Sequence, residues 1–384
     1  MDFNLSKSHQ LQQQLFKRFA EEEIKPLAHD MDEAEEYSME LLEKMKKLGF
    51  FGIPYPKKYG GMGADTLAYT LCMEEVSKVD GSTGITISVH TSLCCACIYE
   101  FGTEDQKQTY LRPLVDGTKV GCFGLTEPNA GSDASGLQTS AVLDGDEYIL
   151  NGSKVFITNS GFANTFVIFA VTDKAMGTDG ISAFIVDPTW PGVTVSANIP
   201  RMGIRASSNC EISFENVRVP AANRLRKEGD GYEIAMTALD GGRIGIGAQA
   251  VGIAQGAWNE AFKYVKERKQ FGKPIFSFQN TKFKLAEMQT KIDAARLMVW
   301  RAAMLKDEAK GDPEKYSAAA AMCKMYASDV ANEVTRGCVQ LFGGYGFSRE
   351  YPVERMMRDA KITEIYEGTS EVMKMVISTY MKAK

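Results

Sequence analysis

The sequence predicts a mainly helical α+β chain in three consecutive parts: helices over 1–120, a β domain over 121–230, and helices again over 231–384. Two patterns carry this. Apolar residues recur at helical spacing in the first and last parts. Between them, short β-rich runs alternate with Gly, Pro and Asp. No short internal repeat interrupts the succession.

The first part opens with Leu11, Leu15, Phe16, Phe19, Ile24 and Leu27 at helical spacing. A second helix is expected over 39–48, stopped by Gly49. Pro54, Pro56 and the run Gly60-Gly61-Met62-Gly63 mark a loop. Helical pattern returns over 67–79 and 103–114. The character changes near Gly121. The stretch 148–157 reads as a hairpin with Asn151-Gly152 at its turn. Further strands are expected over 166–172, 181–186 and 210–219, which together suggest a sandwich or barrel. In the last part, 244–265 is Ala/Gly/Ile-rich and reads as a helix buried on most sides. Two more long helices, 278–306 and 317–341, are separated by Asp312-Pro313. Long antiparallel helices of this kind pack as bundles.

Composition narrows the function. Of 384 residues, 44% are apolar and 24% charged, which excludes disorder over most of the chain. The net charge of −5 argues against a basic nucleic-acid-binding surface. The three histidines, His9, His29 and His90, have no metal-ligand spacing. If the chain is an enzyme, another side chain or a borrowed cofactor must do the chemistry. Eight cysteines include the crowded Cys94-Cys95-Ala96-Cys97, which lacks the second pair a zinc site needs and reads as buried thiols. The opening residues show no signal-peptide pattern, and no apolar run approaches the roughly 18 residues of a membrane span. A cytoplasmic location is expected.

Gly245-Ile246-Gly247-Ala248-Gln249-Ala250 imitates a dinucleotide fingerprint, but it lies in a helical stretch with no strand before it. Small residues that let helices approach closely explain it better. Neither a P-loop nor a GxSxG elbow occurs. Three segments are more informative. The segment 124–133, GLTEPNAGSD, fits equally a structural turn or a loop whose N–H groups meet a polar ring or phosphate. In 267–274, ERKQFGKP, Arg268 offers a fork for pyrophosphate, although a solvated basic helix end has the same composition. The third combines 340–346, QLFGGYG, with Arg358-Asp359 and 365–371, IYEGTSE. Paired glycines there allow close backbone approach to a ligand, and Glu367 stands between Tyr366 and Gly368 near apolar Ile365, although an ordinary exposed glutamate is the commoner account of such a residue read alone.

Together these segments resemble the acyl-CoA dehydrogenase family, within it the bacterial short-chain (butyryl-CoA) group. The matching motifs are 125–128 with 131–133, 156–158, 239–243, 268–272, 340–346 and 365–369, in the family's order and across nearly the whole chain. The resemblance implies an N-terminal helical domain, a middle β-barrel domain and a C-terminal four-helix domain. It implies FAD held without a dinucleotide-binding fold, an acyl-CoA thioester substrate, and an electron-transferring flavoprotein as partner. A homotetramer, a dimer of dimers, is implied too. Glu367 would abstract the substrate α proton while the β hydrogen leaves as hydride. Phe123, Leu125, Thr126, Phe156, Ile157 and Thr158 would lie along the flavin ring. Arg268, Phe271, Gln279, Gln340, Leu341, Gly343 and Gly344 would hold the rest of the FAD, partly across a dimer interface. Thr369 and Glu371 would sit near its diphosphate or ribose. Ser132, Asp240, Arg243, Tyr366 and Gly368 would meet the substrate. Some relatives carry the base just before the Arg of the 239–243 motif; here that residue is Gly242, so the resemblance assigns the base to Glu367. The same motifs also fit an enoyl-CoA reductase of an electron-bifurcating complex and, less well, an acyl-CoA oxidase or a non-catalytic scaffold.

Overall fold

A computed structural model describes residues 4–381. Residues 1–3, part of the opening segment read for targeting, lie outside it.

The chain begins with α1 (Lys7–Phe19), α2 (Ala28–Ala34) and α3 (Met39–Lys47). Ser6 and Ser38 cap α1 and α3 by accepting from the His9 and Leu41 amides. Gly49, at φ +77°, takes the left-handed turn after α3. α1 buries Phe16 and Phe19, whereas Leu11 and Leu15 are 67% and 49% exposed. The helical spacing of those two leucines is real, but the core uses only part of the stripe.

α4 (Thr66–Ser77) and α5 (Gly81–Ser88) start on Asp65 and Asp80, whose carboxylates accept from the Ala68 and Thr83 amides. α5 runs on through a π-helical segment (Val89–Cys95) into α6 (Ala96–Phe101). This stretch corrects one expectation. Gly81–Phe101 is 21 residues long and apolar enough, by length and composition, to cross a membrane. Its most apolar 18 residues are buried inside the fold, and only Glu100 near its end is exposed, so its apolar character is that of a core helix. His90 lies within it, buried and uncharged, and its Nδ1 accepts from the Gly121 amide at 3.0 Å. Burial pushes its imidazole down to about 3. α7 (Glu104–Gln106) and α8 (Arg112–Val115) complete the first part.

The strands are β1 (Gly121–Gly124), β2 (Ser140–Asp144), β3 (Glu147–Thr158), β4 (Thr165–Val171), β5 (Ile181–Val186), β6 (Val193–Val195), β7 (Asn209–Pro220) and β8 (Arg224–Leu225). They form one sheet in the order β6-β7-β3-β2-β4-β5-β8, with β1 parallel to β4. The Asn151-Gly152 hairpin does not form. Residues 147–158 are a single strand, and Asn151-Gly152 sits at a register slip against β7. Gly152 is at φ +142°, and a Cβ there would lie 2.6 Å from Thr139 Oγ1. The residue pair therefore marks a bulge. The true turn joins β2 to β3 at Gly145, φ +68°.

α9 (Gly231–Glu267) is one helix of 37 residues. α10 (Gln279–Ala309), α11 (Ser317–Phe342), α12 (Pro352–Ile362) and α13 (Ser370–Thr379) follow. α11 packs on α9, α10, α12 and α13. The fingerprint-like Gly245 and Gly247 lie mid-α9, where Cβ atoms would come within 2.6 Å of Tyr69 Oη and 3.1 Å of Val299 Cγ2. They serve helix packing.

Candidate active site

The turn between α12 and α13 carries Glu367. Glu367 and Gly368 both have positive φ, +53° and +100°. For a glutamate this costs backbone energy, and such outliers cluster at functional sites. The turn is held from several sides. Arg243 Nε on α9 donates to the Glu367 carbonyl at 3.3 Å, and Lys324 Nζ on α11 donates to the Gly368 carbonyl at 2.7 Å. The Tyr366 hydroxyl donates to Gln249, whose amide donates to the Gly81 carbonyl at 2.8 Å. α12 itself is clamped: Arg358 pairs with Asp32 at 2.6 Å, and the Asp359 carboxylate accepts from the Ile204 amide at 2.5 Å.

Both Glu367 carboxylate oxygens are buried and have no hydrogen-bond partner among the described residues. Such orphaned atoms are rare in folded proteins and call for an explanation. Burial pushes this carboxyl up to about 8, against the opposing pull of Lys324 and then Arg243. Directly opposite is Gly242. A Cβ there would stand 2.1 Å from Glu367 Oε2 and 2.9 Å from Leu93 Cδ2. The carboxylate occupies the volume that a side chain at 242 would need.

One turn along α9, Asp240 pairs with Arg243 at 2.5 Å. Burial raises the Asp240 carboxyl, and Arg243 opposes the rise. Ser132 is exposed on the loop after β1, and no described hydrogen bond joins it to Asp240 or Arg243.

Phe123 and Leu125 are buried at the end of β1, and Thr126 is half-buried beside them. In β3, Ile157 and Thr158 are buried, whereas Phe156 has φ +60° and is 60% exposed. The second register slip of β3 against β7 falls between Lys154 and Ile157. That slip breaks the alternation of faces and turns Phe156 outward. The loop 125–139 is tied to β3 by a buried ion pair, Lys154 Nζ to Glu127 at 2.7 Å. Glu127 also accepts from the Gln138 and Thr139 amides, and Lys154 donates to the Leu125 carbonyl. Glu127→Ala is expected to cost about 3–5 kcal/mol in denaturant unfolding, because it strands a lysine with no exposure. Pairing it with Lys154→Met should recover most of that loss.

A cleft of about 690 Å³ is lined by Arg268, Gln340, Leu341, Gly343, Gly344 and Tyr345, among others. The two glycines face open space: a Cβ on either would meet nothing within 4 Å. Arg268 lies over the Tyr345 ring at 5.3 Å. Phe271, 93% exposed, and Gln279, at the start of α10, do not line this cleft. Thr369 caps α13 by accepting from the Val372 amide, and hydrogen bonds hold the exposed Glu371 carboxyl low.

Family models describe the whole arrangement in three pieces. Those for the acyl-CoA dehydrogenase N-terminal, middle and C-terminal domains match residues 6–118, 122–217 and 229–381. The chain belongs to the acyl-CoA dehydrogenase family. A short-chain specific acyl-CoA dehydrogenase of Clostridium acetobutylicum is 55% identical over 378 residues, covering 98% of this chain and 99% of the relative. The solved butyryl-CoA dehydrogenase from Megasphaera elsdenii superposes with a TM-score of 0.96 at 49% identity, covering 99% and 100%. A chain from a structure describing the electron transferring flavoprotein of Acidaminococcus fermentans and flavin-based electron bifurcation gives 0.97 at 54%, covering 100% of both. Solved family members include complexes with FAD and FADH2.

Several residues around this acyl-CoA dehydrogenase site escaped sequence reading. Lys154, Lys306 and Lys324 are among them. Lys306 Nζ would be 2.6 Å from a Cβ at Gly241, beside Asp240, and burial lowers its ammonium. All eight cysteines are free and buried, and no cluster of metal-ligating side chains occurs among the described residues.

Proposed function

We propose that this chain is a FAD-dependent short-chain acyl-CoA dehydrogenase in which Glu367 takes the α proton of the thioester. The observation that carries the reading is the Glu367 carboxylate: buried, unpartnered, and held in a left-handed turn opposite a glycine. A base tuned to about 8 is matched to proton transfer near neutral pH. The names of the relatives supply the substrate class.

The chain also fits the cofactor. Gly343 and Gly344 leave backbone open beside Arg268, and Phe156 presents an exposed ring next to buried Ile157 and Thr158. We place the adenosine and pyrophosphate against the first group and the flavin ring along the second, with Phe123, Leu125 and Thr126. FAD, when bound, supplies the acceptor for the β hydride. The protein's own work is proton transfer and charge stabilisation. The Glu367 amide has no acceptor among the described residues, so it is free to donate to the thioester oxygen as negative charge develops there. Arg243 fixes the Glu367 carbonyl and Lys324 that of Gly368, so the base and this donor move as one unit. We place Asp240 and Arg243, paired on α9, along the thioester's CoA arm. We further propose exchange of electrons with an electron-transferring flavoprotein and assembly as a homotetramer.

By microscopic reversibility Glu367 also returns the proton in enoyl-CoA reduction. The likeness to a chain from the electron-bifurcation structure favours this second reading. Anaerobic addition of butyryl-CoA should bleach the yellow FAD-loaded protein, with C3, C5 to C8 and branched esters slower. Crotonyl-CoA reduction driven by NADH and purified electron-transferring flavoprotein would establish the reductive direction. An unchanged flavin spectrum with every short-chain ester would sink the proposal.

A further inference from the structure

α11 presents a ladder of donors to the segment that carries the base. Lys324 Nζ reaches the Gly368 carbonyl at 2.7 Å, Ser328 Oγ the Thr363 carbonyl at 2.8 Å, and Asn332 Nδ2 the Ala360 carbonyl at 3.0 Å. The three residues are spaced i, i+4, i+8, so they lie on one face of the helix. Two rungs use neutral donors for a task any neutral donor can perform. Only the rung beside the carboxylate is a lysine, with no solvent exposure at all. Burying an ammonium is expensive unless a negative charge answers it.

We infer that Lys324 is a positioning residue for the base: from within α11 it pins the Glu367-Gly368 segment and sets a buried ammonium against the turn that carries the carboxylate. This rests on the reading of Glu367 as the base. Other charged and titratable groups face the pair. Arg243 on α9 acts on Glu367 in the same sense, and Tyr69 on α4 and Tyr366 stay protonated. Asp329 on α11 and Glu364 in the turn favour the charged form of Lys324, whose ammonium burial pushes down to about 8. Against the upward push of burial, Lys324 and then Arg243 favour the ionised form of Glu367.

The test is a titration of the Glu367 carboxyl itself. Infrared difference spectra of the FAD-loaded protein, without substrate, would be recorded across pH, and the Glu367 band assigned as the one lost in Glu367→Gln. Lys324→Met removes charge and donor; Lys324→Gln keeps a donor for Gly368 and removes only charge. Both should raise the proton affinity of Glu367 at least about tenfold, moving its midpoint up by about one pH unit. Ser328→Ala should leave the midpoint in place. If Lys324→Met fails to fold, Lys324→Gln decides alone. Midpoints that coincide with wild type overturn the Lys324 assignment whatever Glu367 does. A Glu367→Gln variant that reduces flavin at the wild-type rate overturns the base assignment whatever Lys324 does.

Discussion

Replacing Glu367 by Gln should lower the rate of anaerobic flavin reduction by butyryl-CoA by about 10²–10⁴-fold or more, while the protein stays folded and yellow. The amide fills the same volume but cannot take a proton. The amide leaves every hydrogen bond of the site in place, because neither carboxylate oxygen has a partner to lose; what it removes is a negative charge that acts on Lys324. The backbone contacts of the turn go through carbonyls that the substitution leaves intact. The pH dependence gives a second readout. In the free enzyme kcat/KM should rise with pH, reach half its limit near 8 and level off above that, since only the ionised carboxyl is a base. Stability must move the opposite way. A carboxyl raised from an ordinary 4.5 to about 8 favours the folded state below 4.5, and that advantage is lost as pH rises through 8. The Gln variant should therefore match wild type in Tm in acid and exceed it above pH 8. An acid limb that persists unchanged in Glu367→Gln would assign the titration to another group.

Much of this site is legible in the sequence because its chemistry depends on local strings. A glutamate flanked by Tyr366 and Gly368, the paired Gly343-Gly344 and the forked Arg268 each announce themselves within a few residues. The helix–sheet–helix order is legible for the same reason, since period and turn residues are local signals. What escaped is set by distant partners. Asn151-Gly152 has the composition of a turn, yet its strand continues because β7 offers a partner along its whole length, and the pair is absorbed as a bulge. Lysine normally signals surface, so Lys154 and Lys324 read as solvated until Glu127 and the Gly368 carbonyl are found on their ammonium groups. A partial signal existed for Lys324. It falls in register with Ala320, Ala327 and Ala331 on the apolar stripe of α11. The 81–101 stretch went unassigned because Ser, Thr and Gly are interspersed along it, while its burial comes from neighbours packed on every side.

Gly242→Ala should reduce flavin reduction by about 10²-fold with little loss of thermal stability, and the two numbers together are the diagnostic. A methyl group at 242 would stand 2.1 Å from Glu367 Oε2. Something must move. The nearest atoms are the far end of a flexible side chain, so the carboxylate gives way and the helix backbone need not. A displacement near 1 Å is enough to spoil an aligned proton transfer, yet it breaks no hydrogen bond, because the carboxylate makes none. Folding is thus spared and chemistry is not. A wild-type rate in Gly242→Ala would show that the base rests elsewhere during turnover. The geometry also explains why one site cannot carry a side chain at both positions. The space between α9 and the α12–α13 turn holds a single carboxylate, supplied from 367. Glycine at 242 is the condition that lets it stand there, buried and unpartnered, until a substrate arrives.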